Sequence, residues 1–160
     1  MKSKDIIQLL ESSEVPFIIH EHPPVFTVEQ ADVFKAEQPG GHCKNMLLTN
    51  KNRTEFFLII LESHKRMNFK EIGALIGVKH LKFAKETTLN RFGTIAGAVS
   101  PFILLEDKKS EIKLFIDQGL KRFDRLNFHP NDNSMTLGIE SESLYSFLSK
   151  QNHEPHWIEY

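Results

Sequence analysis

Residues 56–61 read Phe-Phe-Leu-Ile-Ile-Leu, six apolar side chains in a row with no polar alternation. Neighbours on a strand point to opposite faces, so such a run forms a strand only where both faces are covered. It predicts a central strand inside a clad sheet. The apolar run before it, Met46 to Thr49, is joined to it by Asn50-Lys51-Asn52-Arg53. Turn-forming residues between two β-rich segments predict a hairpin.

Helical and strand patterns intermingle around this pair. Ser3 is placed to cap a first helix, with Asp5 in its first turn and an apolar face from Ile6, Ile7, Leu9 and Leu10. Phe17 to His20 reads as a short strand stopped by His22-Pro23-Pro24. Thr27 with Gln30 has capping-box spacing, so a helix is expected through Phe34, ending before Pro39-Gly40-Gly41. Asn68 with Glu71 repeats that spacing, with Ile72, Leu75 and Ile76 as the inner face. A helix over 85–92 closes at Gly93. Strand patterns follow over 111–117 and 122–128, about Gly119, and over 135–139; Ser141 opens a last helix with Leu144, Phe147 and Leu148 inward. No regular βαβ repeat emerges, so the expected class is α+β with a mixed sheet, in a single domain spanning 1–160.

Length and composition set outer bounds. A 160-residue chain has room for a sizeable core, and thirteen phenylalanines against one tryptophan and two tyrosines fill it with rings lacking polar handles. The formal charge is −1, which argues against a broadly basic, salt-driven nucleic-acid coat and against DNA as a partner. One cysteine forms no internal disulfide, the N-terminus has no signal-peptide pattern and no apolar run spans a bilayer; a cytoplasmic protein with no membrane partner is expected.

Chemistry-bearing residues are few. The eight histidines show no zinc-site spacing and read as scattered surface residues, so no metal is expected. No phosphate-binding glycine loop follows a strand, so no nucleotide cofactor is expected either. The segment Gly40-Gly41-His42-Cys43-Lys44-Asn45 is unusual because it places a cation at the mouth of a buried strand. Lys44 is either an edge lysine reaching for water, or a cation held in a cleft and aimed at a phosphate or developing oxyanion. The two glycines favour the second by letting a ligand or another backbone approach, and Asn45 adds an amide that donates and accepts. Cys43, if already in the strand, faces away from Lys44 and reads as inert. Gly97-Ala98-Val99-Ser100-Pro101 reads as a rigid small-residue loop, either a plain turn or a backbone cradle. His129, between Phe128 and Pro130, alone reads as a turn residue.

Taken together, HPPVFT at 22–27, GGHCKNMLL at 40–48, GAVSPF at 97–102 and FHPNDNSMTLGIESESL at 128–144 resemble the YbaK/prolyl-tRNA-synthetase-associated domain family, in particular its free-standing trans-editing members. The resemblance covers nearly the whole chain. It implies a mixed, barrel-like sheet surrounded by helices, and hydrolysis of the ester in mischarged tRNA for proline, chiefly that carrying alanine. Carried onto this sequence, it assigns Lys44, Asn45 and His129 to catalysis, with His129 near the terminal adenosine. It assigns Gly97, Ala98, Val99, Ser100 and Pro101, with Val25, Phe26 and Thr27, to the substrate pocket. Cys43 and Ala96 depart from residues frequent in the family, Thr and Pro.

The chemistry fits such a task. A synthetase pocket made for proline rejects a smaller amino acid by only ~1–3 kcal/mol per missing methylene, so a second, smaller site restores accuracy. The ester is already activated, so Lys44 is expected to position and stabilise charge rather than to attack. Lys65, Arg66, Lys79, Lys82 and Lys85 are either candidate cations for the tRNA acceptor end or, for most of them, an ordinary solvated face. Prolyl-tRNA synthetase or elongation factor are the protein partners the resemblance suggests. Three alternatives stay open: a cysteinyl- or seryl-tRNA deacylase, a non-catalytic module binding tRNA ends or a synthetase, and a cysteine hydrolase built on Cys43.

Overall fold

The computed structural model describes residues 1–24, 28–35, 38–132 and 134–160. The hairpin lies where expected: β2 (Gly41–Thr49) pairs antiparallel with β3 (Phe56–Glu62), and β3 is buried along nearly its whole length. Its two faces serve two different cores. Leu58 and Ile60 join the larger cluster with Phe102, Leu126, Phe128 and Leu137; Phe57, Ile59 and Leu61 join a smaller one under α3 (Phe69–Ile76) with Ile72 and Leu81. The unbroken apolar run is thus two half-strands of core, one on each side.

The remaining elements are α1 (Ser3–Ser12), β1 (Phe17–Glu21), α2 (Val28–Lys35), β4 (Lys82–Phe83), α4 (Glu86–Arg91), β5 (Ile112–Asp117), β6 (Arg125–Phe128), β7 (Met135–Glu140), α5 (Ser141–Lys150) and β8 (His156–Ile158). The strands form one mixed sheet in the order β1-β7-β6-β2-β3-β5-β8, with β4 also on β2. This is the α+β architecture the sequence implies. Among the described residues, no helix is long and apolar enough to cross a membrane.

Several local expectations change. Ser3 does not cap α1; Lys2 occupies the cap, and its N–H donates to the Asp5 carboxylate at 3.1 Å. Asn68 does cap α3, accepting from the Glu71 N–H at 3.0 Å, but Leu75 lies 45% exposed. The 111–117 and 122–128 strand patterns become β5 and a shorter β6 that begins at Arg125. A 3₁₀ turn over Gln118–Arg122 separates them, β5 pairing with β3 and β6 with β7 and β2. Residues 101–105 form a buried 3₁₀ helix capped by Ser100, whose Oγ accepts from the Phe102 N–H. The histidines are not all surface residues either: His153 is 3% exposed, its Nε2 3.6 Å from the buried Asp107 carboxylate. Lys65 leaves the group of candidate RNA-binding cations, because its ammonium contacts Asp117 at 2.7 Å and the Tyr160 carbonyl at 2.7 Å.

The junction between β2 and β6 is short. Only Gly41↔Leu126 and His42↔Asn127 pair, in parallel, after which β2 departs along β3. Two glycines permit the crossing. A Cβ on Gly40, whose φ is +105°, would sit 2.5 Å from the Arg125 carbonyl oxygen, and one on Gly41 would sit 2.6 Å from Phe123 and 2.9 Å from Leu126. The close approach is therefore by protein, not by a ligand. Gly41→Ala is expected to destabilise the fold by about 1–3 kcal/mol through overpacking, read as a lower denaturant midpoint at unchanged slope.

Candidate active site

Where β2 and β6 diverge, side chains from both faces of the sheet border one small recess of about 60 Å³. The alternation of strand residues explains which groups arrive there. Asn127 is the register partner of His42, so the two share a face, the polar one that also carries Thr136. Cys43, Asn45 and Phe128 come from the core-facing side. Gln38 and Phe34, from the segment before β2 and from α2, border the same space.

His22 and His129 complete it. His22 stacks on Phe34 with ring centroids 4.9 Å apart and meets the His129 ring edge-on at 6.1 Å. Its two nitrogens lie 3.0 Å from the Pro23 carbonyl and 3.0 Å from Thr136 Oγ1, so the ring is held in one orientation. His129 Nδ1 lies 2.8 Å from the Met135 carbonyl, where it donates, which leaves Nε2 as the acceptor in the neutral ring. Asn127 donates from Nδ2 to the carbonyls of Pro39 and Gly41 at 3.0 and 3.2 Å, tying the entry of β2 to β6. The amide oxygens of Asn45 and Asn127 are buried without a partner among the described residues. Such groups are costly unless something donates to them, which suits a ligand N–H or O–H.

Of the sequence candidates, Asn45 and His129 thus meet at one recess. Lys44 lies between two of its lining residues, Cys43 and Asn45, and alternation places it on the face of His42, half-buried at the rim of the smaller core. Residues 97–101 do not border this recess. They are tied to it indirectly: Ser100 Oγ lies 3.4 Å from Asn131 Oδ1, two residues beyond His129, and Asn131 Nδ2 donates to the Met1 carbonyl at 2.9 Å. Gly97 has φ +84° and nothing near a Cβ position, so its glycine serves the backbone turn and not close approach. Thr94 Oγ1 braces the loop by donating to the Ala98 carbonyl at 3.0 Å. Val25, Phe26 and Thr27 lie outside the described residues.

Sequence reasoning missed His22, His42, Asn127 and Thr136. A histidine before a double proline and a polar residue inside an apolar strand were the available signals. Among the described lining residues there is no carboxylate, and no cluster of three or more metal-ligating side chains occurs among the described residues of the chain.

With this geometry in place, similarity to known proteins becomes decisive. A profile of the aminoacyl-tRNA editing domain matches residues 22–147. The chain belongs to that family. It is accordingly an aminoacyl-tRNA hydrolase. It is 29% identical over 140 residues to the prolyl-tRNA editing protein ProX of Acetoanaerobium sticklandii, covering 87% of this chain and 85% of the relative. Identity to prolyl-tRNA synthetase associated domain-containing protein 1 of Mus musculus is also 29% over 140 residues, covering 84% and 82%. A solved structure of a candidate trans-editing enzyme for prolyl tRNA synthetase superposes with a TM-score of 0.69 at 13% identity, covering 99% of this chain and 96% of that one, which shows a shared fold. The matched span begins at His22, the first of the described residues that line the recess, and contains all of those described.

The turn carrying His129 has an electrostatic anchor. Asp132 accepts from the Ser134 N–H at 2.8 Å and from Ser134 Oγ at 2.6 Å, and these bonds, with lesser help from His129 and His22, hold its carboxyl below its ordinary value of 3.8. A depressed carboxylate stabilises the fold above its unfolded pKa and loses that contribution as pH falls through the lower folded value. Ser134→Ala removes the hydroxyl bond and keeps the N–H one, so it is expected to move Asp132 part of the way back toward 3.8 and to weaken that acid-side stabilisation, as seen by carboxyl-detected NMR titration.

Proposed function

We propose that this editing hydrolase acts in trans on mischarged tRNA for proline, and that alanine is the amino acid it removes. The observation that carries the reading is the convergence of Asn45, His129, Asn127 and His22 on one small recess at the fork of β2 and β6, with Lys44 beside it. Its size suits a small side chain. A proline ring needs more room between walls as fixed as Phe128 and the stacked His22–Phe34 pair.

In this reading the aminoacyl ester enters from the polar face of the sheet. Water adds to the ester carbonyl carbon, the carbonyl oxygen becomes an oxyanion, and the carbon–oxygen bond to the terminal ribose then breaks. The proton of the attacking water ends on the ribose oxygen, releasing the amino acid and an intact tRNA. Lys44 stabilises negative charge at the oxyanion or the adjoining phosphate, a role in which a single positioned donor is worth ~10²–10³ in rate. The buried amide oxygens of Asn45 and Asn127 are the natural acceptors for the α-ammonium that every aminoacyl ester carries. His129 orients the terminal nucleoside. The 97–101 loop acts through the Ser100–Asn131 contact, holding the His129 turn in place. Cys43 is a wall residue.

Single-turnover hydrolysis of alanyl-, cysteinyl-, seryl- and prolyl-tRNA tests this. Alanyl-tRNA is expected to be cleaved fastest and prolyl-tRNA spared. Lys44→Ala should lose about a hundredfold or more in rate with the fold intact, whereas Cys43→Ala and Cys43→Thr stay within a few-fold. Full activity in Lys44→Ala removes the lysine from the chemistry, and inactivity of Cys43→Ala restores the thiol as nucleophile.

A further inference from the structure

At the far end of β2 from the recess, the β2–β3 turn and β4 bring four cations together. Lys82 pairs with Thr49 across β2 and β4, and Arg53, Lys85 and Lys51 lie within electrostatic reach of its ammonium. Partial desolvation first, and then repulsion from these three neighbours, holds the Lys82 pKa below its usual value. Among the described residues none of the four makes an ion pair; the nearby Glu55 carboxylate faces Lys113 instead, at 3.5 Å. Phe83, the residue after Lys82, turns to the opposite face of β4, where its ring lies edge-on to Phe69 at 5.1 Å, so the edge offers phosphate contact and not stacking. A chain of formal charge −1 thus concentrates uncompensated positive charge on one edge. Like charges crowded without a counter-ion destabilise a fold, so an external polyanion is the partner this edge fits.

We propose that this edge grips the phosphate backbone of the tRNA acceptor arm while the recess holds its aminoacylated end, an inference that rests on the tRNA substrate of the preceding section. Span and chemistry agree. Asn45 and Thr49 are four strand residues apart, about 14 Å, so the ester and the first backbone contacts are separated by a few nucleotides of single-stranded 3′ end. The arrangement also explains how a near-neutral protein binds RNA: the basic charge is local.

Binding of uncharged tRNA for proline as a function of salt is the test, because it needs no hydrolysis. The Lys51→Glu/Lys82→Glu/Lys85→Glu variant is expected to bind about tenfold or more weakly. The corresponding triple Gln variant, which guards against misfolding from charge reversal, should lose roughly three units of salt slope. A control carrying Lys4→Glu, Lys109→Glu and Lys150→Glu makes the same change in net charge elsewhere on the surface and should bind like the parent protein. Unchanged affinity and slope in both patch variants, or an equal loss in the control, overturns the proposal. Absence of hydrolysis by the parent protein would instead defeat the deacylase reading, leaving this one to stand on the binding data.

Discussion

Two residue pairs hold the site together. β2 touches β6 only through Gly41↔Leu126 and His42↔Asn127, then turns away to pair with β3. A longer parallel ladder would close the gap between the strands, and a shorter one would leave β1, β7 and β6 unattached to the rest of the sheet. The fork is possible because Gly40 and Gly41 let backbone and ring approach to distances no side chain tolerates. Asn127 fastens it, donating to the carbonyls on either side of Gly40. Everything that borders the recess follows from where those strands separate.

The same fork explains why the recess mixes chemistry. In an ordinary sheet one face is oily and the other wet, and a pocket samples one of them. Here Phe128 and Cys43 contribute from the core side while His22, His42, Asn127, His129 and Thr136 contribute from the polar side. The proposed reading, a small aminoacyl group hydrolysed in this recess, uses both: apolar walls to measure size, and polar groups with unspent hydrogen-bonding capacity to hold an ammonium and a nucleoside. The hydrogen bond between His22 and Thr136 and the one from His129 to the Met135 carbonyl set ring orientations in advance, which lowers the cost of ordering on binding.

Lysines divide into structural and surface roles that sequence cannot separate. Lys65 and Lys82 look equally basic in the chain, yet Lys65 neutralises the buried Asp117 whereas Lys82 sits among like charges. Glycines divide in the same way. Gly40 and Gly41 serve close packing and Gly97 a left-handed turn; of the two approaches the sequence leaves open at Gly40-Gly41, a ligand or another backbone, the contact is with protein: Arg125, Phe123 and Leu126.

The sequence by itself determined the mixed α+β class, the β2–β3 hairpin, the capped α3 helix and, through four ordered motifs, the family. These rest on local rules: unbroken apolar runs, cap spacing and turn residues act over a few positions and are written in neighbouring letters. It also pointed to Asn45 and His129, through the motifs that carry the family resemblance, since His129 alone reads as a turn residue. Only the tertiary structure decided that His22, His42, Asn127 and Thr136 join them, that β5 and β6 do not pair, that His153 is buried, and that Lys51, Arg53, Lys82 and Lys85 form one edge. Those facts depend on strand order and register, set by burial across residues as many as a hundred apart in sequence, such as His22 and Thr136. Register places every second side chain on a common face, and no stretch of neighbouring residues records which strand will lie alongside.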